Sequence, residues 1–336
     1  MAVRIVLICI FCILLVAGIL QSATIGQFSG VSLRYNTPIC GQTAYRARQY
    51  SVQNSDSYNP TFWPTFWHQC SATFRTGIRT SHATVISFSG DAMLVWPAEY
   101  LTGSAPGILD GTGVAISKTL AHRLWGSINV IGMRVYVNNT PRTVRGVFAG
   151  DTDMALLSFD LEDTSQSFTA IELSGDPDHP TRADADSFAI AAGLGRPCYI
   201  LMSGPMSLAR LMAFFPLLIP AVYLLVLVFR FMKKHYPTVR VSVFFAGLLL
   251  FAVVLPVMLD ALPPWLIPTR FGDFSFWGNL INQAGDSLHE FLSVNPMLRD
   301  VELRMHLLRQ TLIFMLTVCS GIVLVFNTHQ RHHHMA

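Results

Sequence analysis

Four continuously apolar runs punctuate this chain, and nearly all of its polar material lies between the first and the second. The runs are Ile5–Leu20, Met212–Phe229, Val241–Leu259 and Thr311–Phe326. Their interiors carry no Asp, Glu, Lys or Arg, and each approaches the length needed to cross a bilayer. Between them the pattern changes period. Val114–Ile116 is a short apolar run following Gly111 and Gly113, which predicts a strand. Ser117 stands where a hydroxyl caps a helix, and Leu120, Ala121 and Leu124 fall on one helical face. Gly126 sits where a helix ends on a residue with positive φ. Met133, Val135 and Val137 alternate with polar partners, which predicts a half-buried strand with those three inward. Asn138-Asn139 predicts a hairpin turn, and Thr143–Phe148 the returning strand.

Further strands are predicted at His82–Phe88, Phe168–Leu173, Ser187–Ala192 and Cys198–Met202. Strands mixed with one or two helices make residues 21–205 an α+β domain. Tyr50–Trp67, rich in Asn, Ser, Pro and aromatics, is either a loop packed on the core or a segment at a membrane interface. Leu280, Ile281, Leu288, Phe291 and Leu292 approach helical spacing within 279–308. That helix either lies on the membrane surface or packs under the outer domain.

Composition sharpens the membrane reading. Of 336 residues 51% are hydrophobic and 13% charged, against about 25% charged in soluble domains. The net charge of +3 offers no nucleic-acid surface. Lysine occurs only at 118, 233 and 234. Arg230, Lys233, Lys234, His235 and Arg240 form one basic loop between two apolar runs, and the positive-inside rule places it in the cytoplasm. The expected order is a first transmembrane helix at 1–20, an extracytoplasmic domain at 21–205 and a second span at 206–232. A basic loop at 233–240, a third span at 241–260 and an outer segment at 261–307 follow. A fourth span at 308–328 leads to a cytoplasmic tail at 329–336. The first run also reads as a signal peptide, with Gln21-Ser22-Ala23 as its cleavage site.

Candidate chemistry is sparse. Gly111-Thr-Gly113 before Lys118-Thr119 fails as a phosphate loop, because Ser117 stands where glycine must precede the lysine. Asp151-Thr-Asp153 and Asp176-Pro-Asp178 lack the further oxygen ligands of a calcium loop. His289-Glu290 lacks the second histidine of a zinc-protease helix. Cys9 and Cys12 are C-x-x-C by spacing but lie inside an apolar run. Cys40 and Cys70, both in the outer domain, are either a disulfide or two free thiols. We expect no catalytic, metal or cofactor site, and no enzymatic activity.

The stretch from Gly103 to Phe148 resembles the MacB-type periplasmic core domain of ABC-transporter permeases. The matching residues are Gly103, Ile116, Ser117, Leu120, Ala121, Leu124, Gly126, Gly132, Val135, Val137, Val144, Gly146 and Val147. The four-span order, with the large domain after the first span, is similar to that of FtsX-like permeases. The resemblance favours an uncleaved first helix and implies a bacterial cell (inner) membrane protein. It implies a separate cytoplasmic ABC ATPase, docked on the loop of Arg230, Lys233, Lys234, His235 and Arg240. ATP would be used only through that partner. A second permease subunit or a homodimer, in contact with lipid, completes the expected assembly. One departure is that only residues 230–240 are available where such permeases carry a longer cytoplasmic segment. The alternative function is therefore a non-transporting adaptor or sensor whose outer domain binds a partner.

Overall fold

The computed structural model describes residues 2–28, 30–54, 62–108, 110–161, 166–175, 181–222 and 274–333, with isolated helical positions between 241 and 252. The chain divides into two compact units. One comprises residues 27–203 together with 289–302. The other comprises 1–26, 204–288 and 303–336.

The first unit is built on a ten-stranded mixed sheet. Its strands are β1 (Val31–Cys40), β2 (Trp63–Arg75), β3 (Thr80–Ser89), β4 (Tyr100–Gly103) and β5 (Gly113–Ser117). The rest are β6 (Arg134–Val137), β7 (Thr140–Phe148), β8 (Met154–Ser158), β9 (Ser167–Ser174) and β10 (Tyr199–Leu201). They lie in the order β10-β1-β9-β2-β3-β8-β5-β7-β4, with β6 pairing β2 and β7. The pairs β3–β8 and β5–β7 are parallel, and the others antiparallel.

Both faces of the sheet are covered. On one face, α2 (Gly41–Gln53) and α5 (Arg182–Ala191) bury Ala44, Ala47, Ala185 and Phe188 against Leu33, Phe66 and Ile171. Further along that face, α4 (Lys118–Trp125) presses Leu120, Ala121 and Leu124 onto Val85, Ile116, Val144 and Val147. The opposite face buries Trp67, Ile86, Phe88 and Met154 beneath the short α3 (Ala92–Val95), with Met297 and Leu298 packed against them. Each fully buried aromatic or branched side chain contributes about 1.5–3 kcal/mol by leaving water.

The Gly113–Phe148 stretch folds for local reasons. Ser117 Oγ accepts from Leu120 N at 3.2 Å, capping α4. The same oxygen accepts from Met154 N at 3.2 Å, tying the helix start to β8. Gly126 ends the helix at φ +76°. Asn138 and Asn139 both have positive φ, 46° and 70°, the twist a two-residue hairpin needs. Val135 and Val137 are buried as the alternation predicts, but Met133 is 43% exposed, because β6 begins only at Arg134.

Three further expectations are corrected. Ser187–Ala192 is helical rather than a strand. Thr181 and Asp184 form a reciprocal capping box at the start of α5, and Ala185, Phe188 and Ala189 recur at helical spacing. Residues 41–53, for which no element was expected, form α2. The single helix expected over 279–308 is two helices, α7 (Phe274–Ser293) and α8 (Leu298–His333). Pro296 lies between them, and a proline disfavours helical backbone at the residue before it.

The second unit contains α1 (Ala2–Gly26), α6 (Gly204–Phe214, continuing through a short 3₁₀ turn to Val222), most of α7 and the body of α8. Among the described residues, three segments are long and apolar enough to cross a membrane: Ile5–Gly26, Gly204–Val222 and Leu298–Val325. Phe215 and Phe314 meet edge to face at 6.1 Å, and Gln310 Nε2 donates to Ala209 O at 3.4 Å. The expected third span at 241–260, apart from isolated helical positions, lies outside the described residues. So do residues 223–232 of the second.

Candidate functional site

The most concentrated chemistry in the sheet unit is a group of four buried charges. Ser32 and Arg34 are two apart on β1 and therefore share a face. Glu172 on β9 is the register partner of Ser32. Ala170 on β9 is the partner of both Arg34 and Trp67, which places the indole of β2 beside them. The second half of the group comes from residues 297–300, the segment that starts α8.

Arg34 Nη2 donates to Asp300 Oδ1 at 2.8 Å, and Nη1 to Met297 Sδ at 3.4 Å. The same Nη2 lies 3.7 Å from Glu172 Oε1, and the guanidinium stacks 4.7 Å from the Trp67 ring centroid. Glu172 Oε1 accepts from Ser32 Oγ at 2.7 Å and from Trp67 Nε1 at 3.0 Å. Its other oxygen lies 3.4 Å from Arg299 Nη2, which also donates to Phe28 O at 3.2 Å. Two guanidinium groups and two carboxylates thus neutralise one another. Arg34, Glu172, Arg299 and Asp300 are each no more than 4% exposed.

The helix start is held by backbone bonds as well. Leu298 N donates to Gln69 Oε1 of β2 at 2.6 Å, and Met297 N to Asp300 Oδ2 at 3.1 Å. These satisfy donors that the first turn of a helix leaves free. Asp300 also sets a negative charge at the positive end of α8. Nearby, Arg182 on α5 clasps Glu290 with two bonds of 2.7 and 2.8 Å.

The arrangement's one hydroxyl–carboxylate contact, Ser32 to Glu172, is sealed from solvent, with both residues no more than 3% exposed. The arrangement can fix a helix to a sheet. Breaking a buried pair leaves an uncompensated charge, which costs about 3–5 kcal/mol. Among the described residues, no three His, Cys, Asp or Glu side chains converge as metal ligands.

The residues singled out in the sequence fall elsewhere. Arg230, Lys233, Lys234, His235 and Arg240 lie outside the described residues. Gly103 is the register partner of Gly146 on β7. A side chain on Gly103 would meet the Arg145 carbonyl oxygen, and one on Gly146 the Ser104 carbonyl oxygen. Ser117 and Gly126 cap α4, and Leu120, Leu124 and Val147 fill its contact with the sheet. Gly132, at φ +79°, donates from its N–H to Val144 O at 2.8 Å. These residues build the frame and bring no reactive groups together.

Cys40 and Cys70 are not bridged; both are free and exposed. Strand β9 lies between β1 and β2, so their backbones are about two strand spacings apart, near 10 Å. A disulfide requires a Cα separation under about 7 Å.

The charge cluster itself was missed. Its available signal was a single ionisable residue inside an otherwise apolar strand pattern: Glu172 in FTAIEL and Arg34 in VSLRY. Charged side chains are almost never fully buried unless paired.

Three solved structures resemble this chain in part. The chain is 16% identical to the extracellular domain of the noncanonic ABC-type transporter YknZ from Gram-positive bacteria. That match covers 49% of this chain and 92% of that one, with a TM-score of 0.39. It is 12% identical to the periplasmic region of MacB from Actinobacillus actinomycetemcomitans, covering 52% and 87%, with a TM-score of 0.41. It is 15% identical to a domain of a putative permease protein from Porphyromonas gingivalis, covering 43% and 68%, with a TM-score of 0.33. No family model and no curated protein matches the chain.

Proposed function

We propose that this chain is a permease-like transmembrane subunit of an ABC-type transport or mechanotransmission complex, working with a separate cytoplasmic ATPase. One observation carries the reading. α8 is a single helix of 36 residues whose first turn is bonded into the sheet through Arg34, Glu172 and Gln69. Its acidic residues all fall before Gln310, residues 310–326 are uncharged, and Arg331 follows near its end. A continuous helix transmits displacement along its axis, and the buried ion pairs supply a fastening that resists slip. The resemblance of the Gly103–Phe148 stretch supports the same reading from independent residues.

On this proposal the protein lies in a bacterial cell membrane, crosses it several times and displays the sheet unit outside. It binds no cofactor of its own, and ATP acts only through the partner. The basic residues Arg230, Lys233, Lys234, His235 and Arg240 face the cytoplasm and dock the ATPase. A second permease subunit or a second copy of the chain completes the assembly.

Two measurements test it. An impermeant amine reagent applied to intact cells labels Lys118 and spares Lys233 and Lys234; the reverse pattern overturns the orientation. Purification from native membranes recovers an ABC ATPase that is lost in the Lys233→Glu/Lys234→Glu variant. Recovery with no ATPase favours the adaptor or sensor, a reading motivated by the short stretch 230–240.

A further inference from the structure

Six strands of the sheet close into a ring, in the order β2-β3-β8-β5-β7-β6, because β6 pairs with both β7 and β2. Every strand of the ring contributes to one apolar interior, where Phe74, Val85, Leu157, Val114, Val144 and Val135 are buried together. Arg142 of β7 is the register partner of Val135 and stands two residues before Val144, so its side chain shares that inward face. It is 9% exposed, and its guanidinium stacks 5.0 Å from the ring centroid of Phe159.

Among the described residues three arginines are this deeply buried: Arg34, Arg142 and Arg299. Arg34 and Arg299 are matched by the carboxylates of Asp300 and Glu172. Arg142 forms no ion pair with any carboxylate of the described residues. Its Nη1 donates to Gly111 O, on the loop that leads into β5, and its Nε is buried with no hydrogen-bond partner among the described residues. Asp110 acts on this guanidinium through space, but its own carboxylate is engaged elsewhere. Oδ2 accepts from Arg145 Nε at 2.6 Å, and Oδ1 accepts from Thr112 Oγ1 at 2.9 Å and Thr112 N at 3.3 Å. Burial pulls the Arg142 pKa below its ordinary value, with Asp110 opposing the shift.

A charged side chain is almost never this buried without a counter-charge, because desolvation penalises the bare ion. The same sheet unit supplies carboxylates to its other two buried arginines and none to this one. With Nη1 committed to a carbonyl, Nε and Nη2 remain, and two adjacent N–H groups of a guanidinium grip two oxygens of a carboxylate or phosphate at once. We infer that Arg142 anchors an anion site beside the loop entering β5, which takes one small oxyanion, a carboxylate or a phosphate, on the Nε/Nη2 edge. Phe159 lies against the plane of the guanidinium and fixes the direction of that edge. So little of Arg142 meets solvent that the occupant is a small anion rather than a protein surface. The inference concerns the sheet unit alone and is independent of whether an ATPase works on this chain.

The test uses the full-length protein in detergent, at fixed pH and ionic strength. Millimolar inorganic phosphate replaces chloride in one arm and acetate replaces it in the other. At about five times the dissociation constant the melting temperature is expected to rise by on the order of 2–4 °C. A rise with phosphate alone assigns a phosphate, and a rise with acetate alone assigns a carboxylate. Arg142→Gln abolishes the rise, whereas Arg134→Gln, at an exposed arginine of β6, keeps it. Because Arg142→Gln can fail to fold, hydrogen exchange on the unaltered chain decides separately. The effective anion slows amide exchange in residues 110–115 and 140–145 and leaves residues 182–192 of α5 unchanged. No rise with either anion, an equal rise in Arg142→Gln, or exchange that is unaltered at 110–115 and 140–145 or slowed throughout overturns the inference.

Discussion

Arg34, in the first strand of the sheet, bonds Asp300, in the first turn of the last helix, at 2.8 Å, although 266 residues separate them. Their side chains are 5% and 3% exposed, so neither charge has water to fall back on. Asp300→Ala leaves Arg34 facing only Glu172 at 3.7 Å, and also removes the acceptor of Met297 N. The expected cost is about 3–5 kcal/mol. Limited proteolysis of the detergent-solubilised chain measures it, as faster cleavage between residues 293 and 302. The double variant Arg34→Met/Asp300→Leu removes both charges together and recovers most of the protection.

Gly103 and Gly146 face each other across β4 and β7; a side chain on Gly103 would run into the Arg145 carbonyl oxygen, and one on Gly146 into the Ser104 carbonyl oxygen. Gly103 is additionally at φ +71°, where residues with a side chain are strained. Gly103→Ala and Gly146→Ala are each expected to destabilise the sheet unit by about 1–3 kcal/mol. Gly77→Ala is the control, because a side chain there meets nothing within 4 Å. Thermal unfolding of the three variants in the same detergent gives the comparison.

Those glycines show what the sequence could and could not reveal. The Gly103–Phe148 stretch is legible because its determinants are local: Ser117 caps its own helix, and Asn138-Asn139 make their own turn. α2 escaped notice because its inward face consists of small residues, Gly41, Ala44, Ala47 and Ser51, which give hydropathy little to register. α5 looked like a strand because its apolar residues sit close together, and the deciding signal lay upstream in the Thr181–Asp184 cap. The charge cluster was hidden for another reason. Its halves come from β1, β9 and the start of α8, so no window of sequence contains the pairing that makes Glu172 tolerable.

His68 gives the sheet unit an acid-sensitive point. Its ring meets Phe168 edge to face at 6.0 Å, and Nδ1 is buried with no hydrogen-bond partner among the described residues. Burial holds its pKa below the ordinary 6.5, since the imidazolium would be desolvated. The unfolded chain therefore binds the proton first. Stability is complete above pH 6.5 and falls as the pH drops from there through the folded-state pKa. His68→Phe is expected to shrink the difference between the melting temperatures at pH 7.5 and pH 5. An unchanged difference would assign the acid sensitivity to other groups.

Within the helical unit, Gly321 on α8 sets how closely three helices approach. A Cβ at this position would lie 3.0 Å from Ile219 Cδ1 and 3.1 Å from Phe11 Cε2. Small residues at such crossings let apolar helices pack by van der Waals contact, where lipid offers no hydrophobic drive between them. The two neighbours differ in how they can respond. Ile219 Cδ1 is the free end of a flexible side chain and can rotate away, whereas Phe11 is 7% exposed and hemmed in. Gly321→Ala is therefore expected to cost under about 1 kcal/mol, and Gly321→Leu about 1–3 kcal/mol. Gly18→Ala tests the same logic at a looser contact, since its Cβ would stand 3.5 Å from Ile313 Cγ2, an ordinary separation, and little change should follow. Thermal denaturation in a single detergent should rank the three Gly18→Ala, Gly321→Ala, Gly321→Leu. Equal melting temperatures for the two Gly321 variants would mean that the helices part easily here and that this crossing contributes little to holding the unit together.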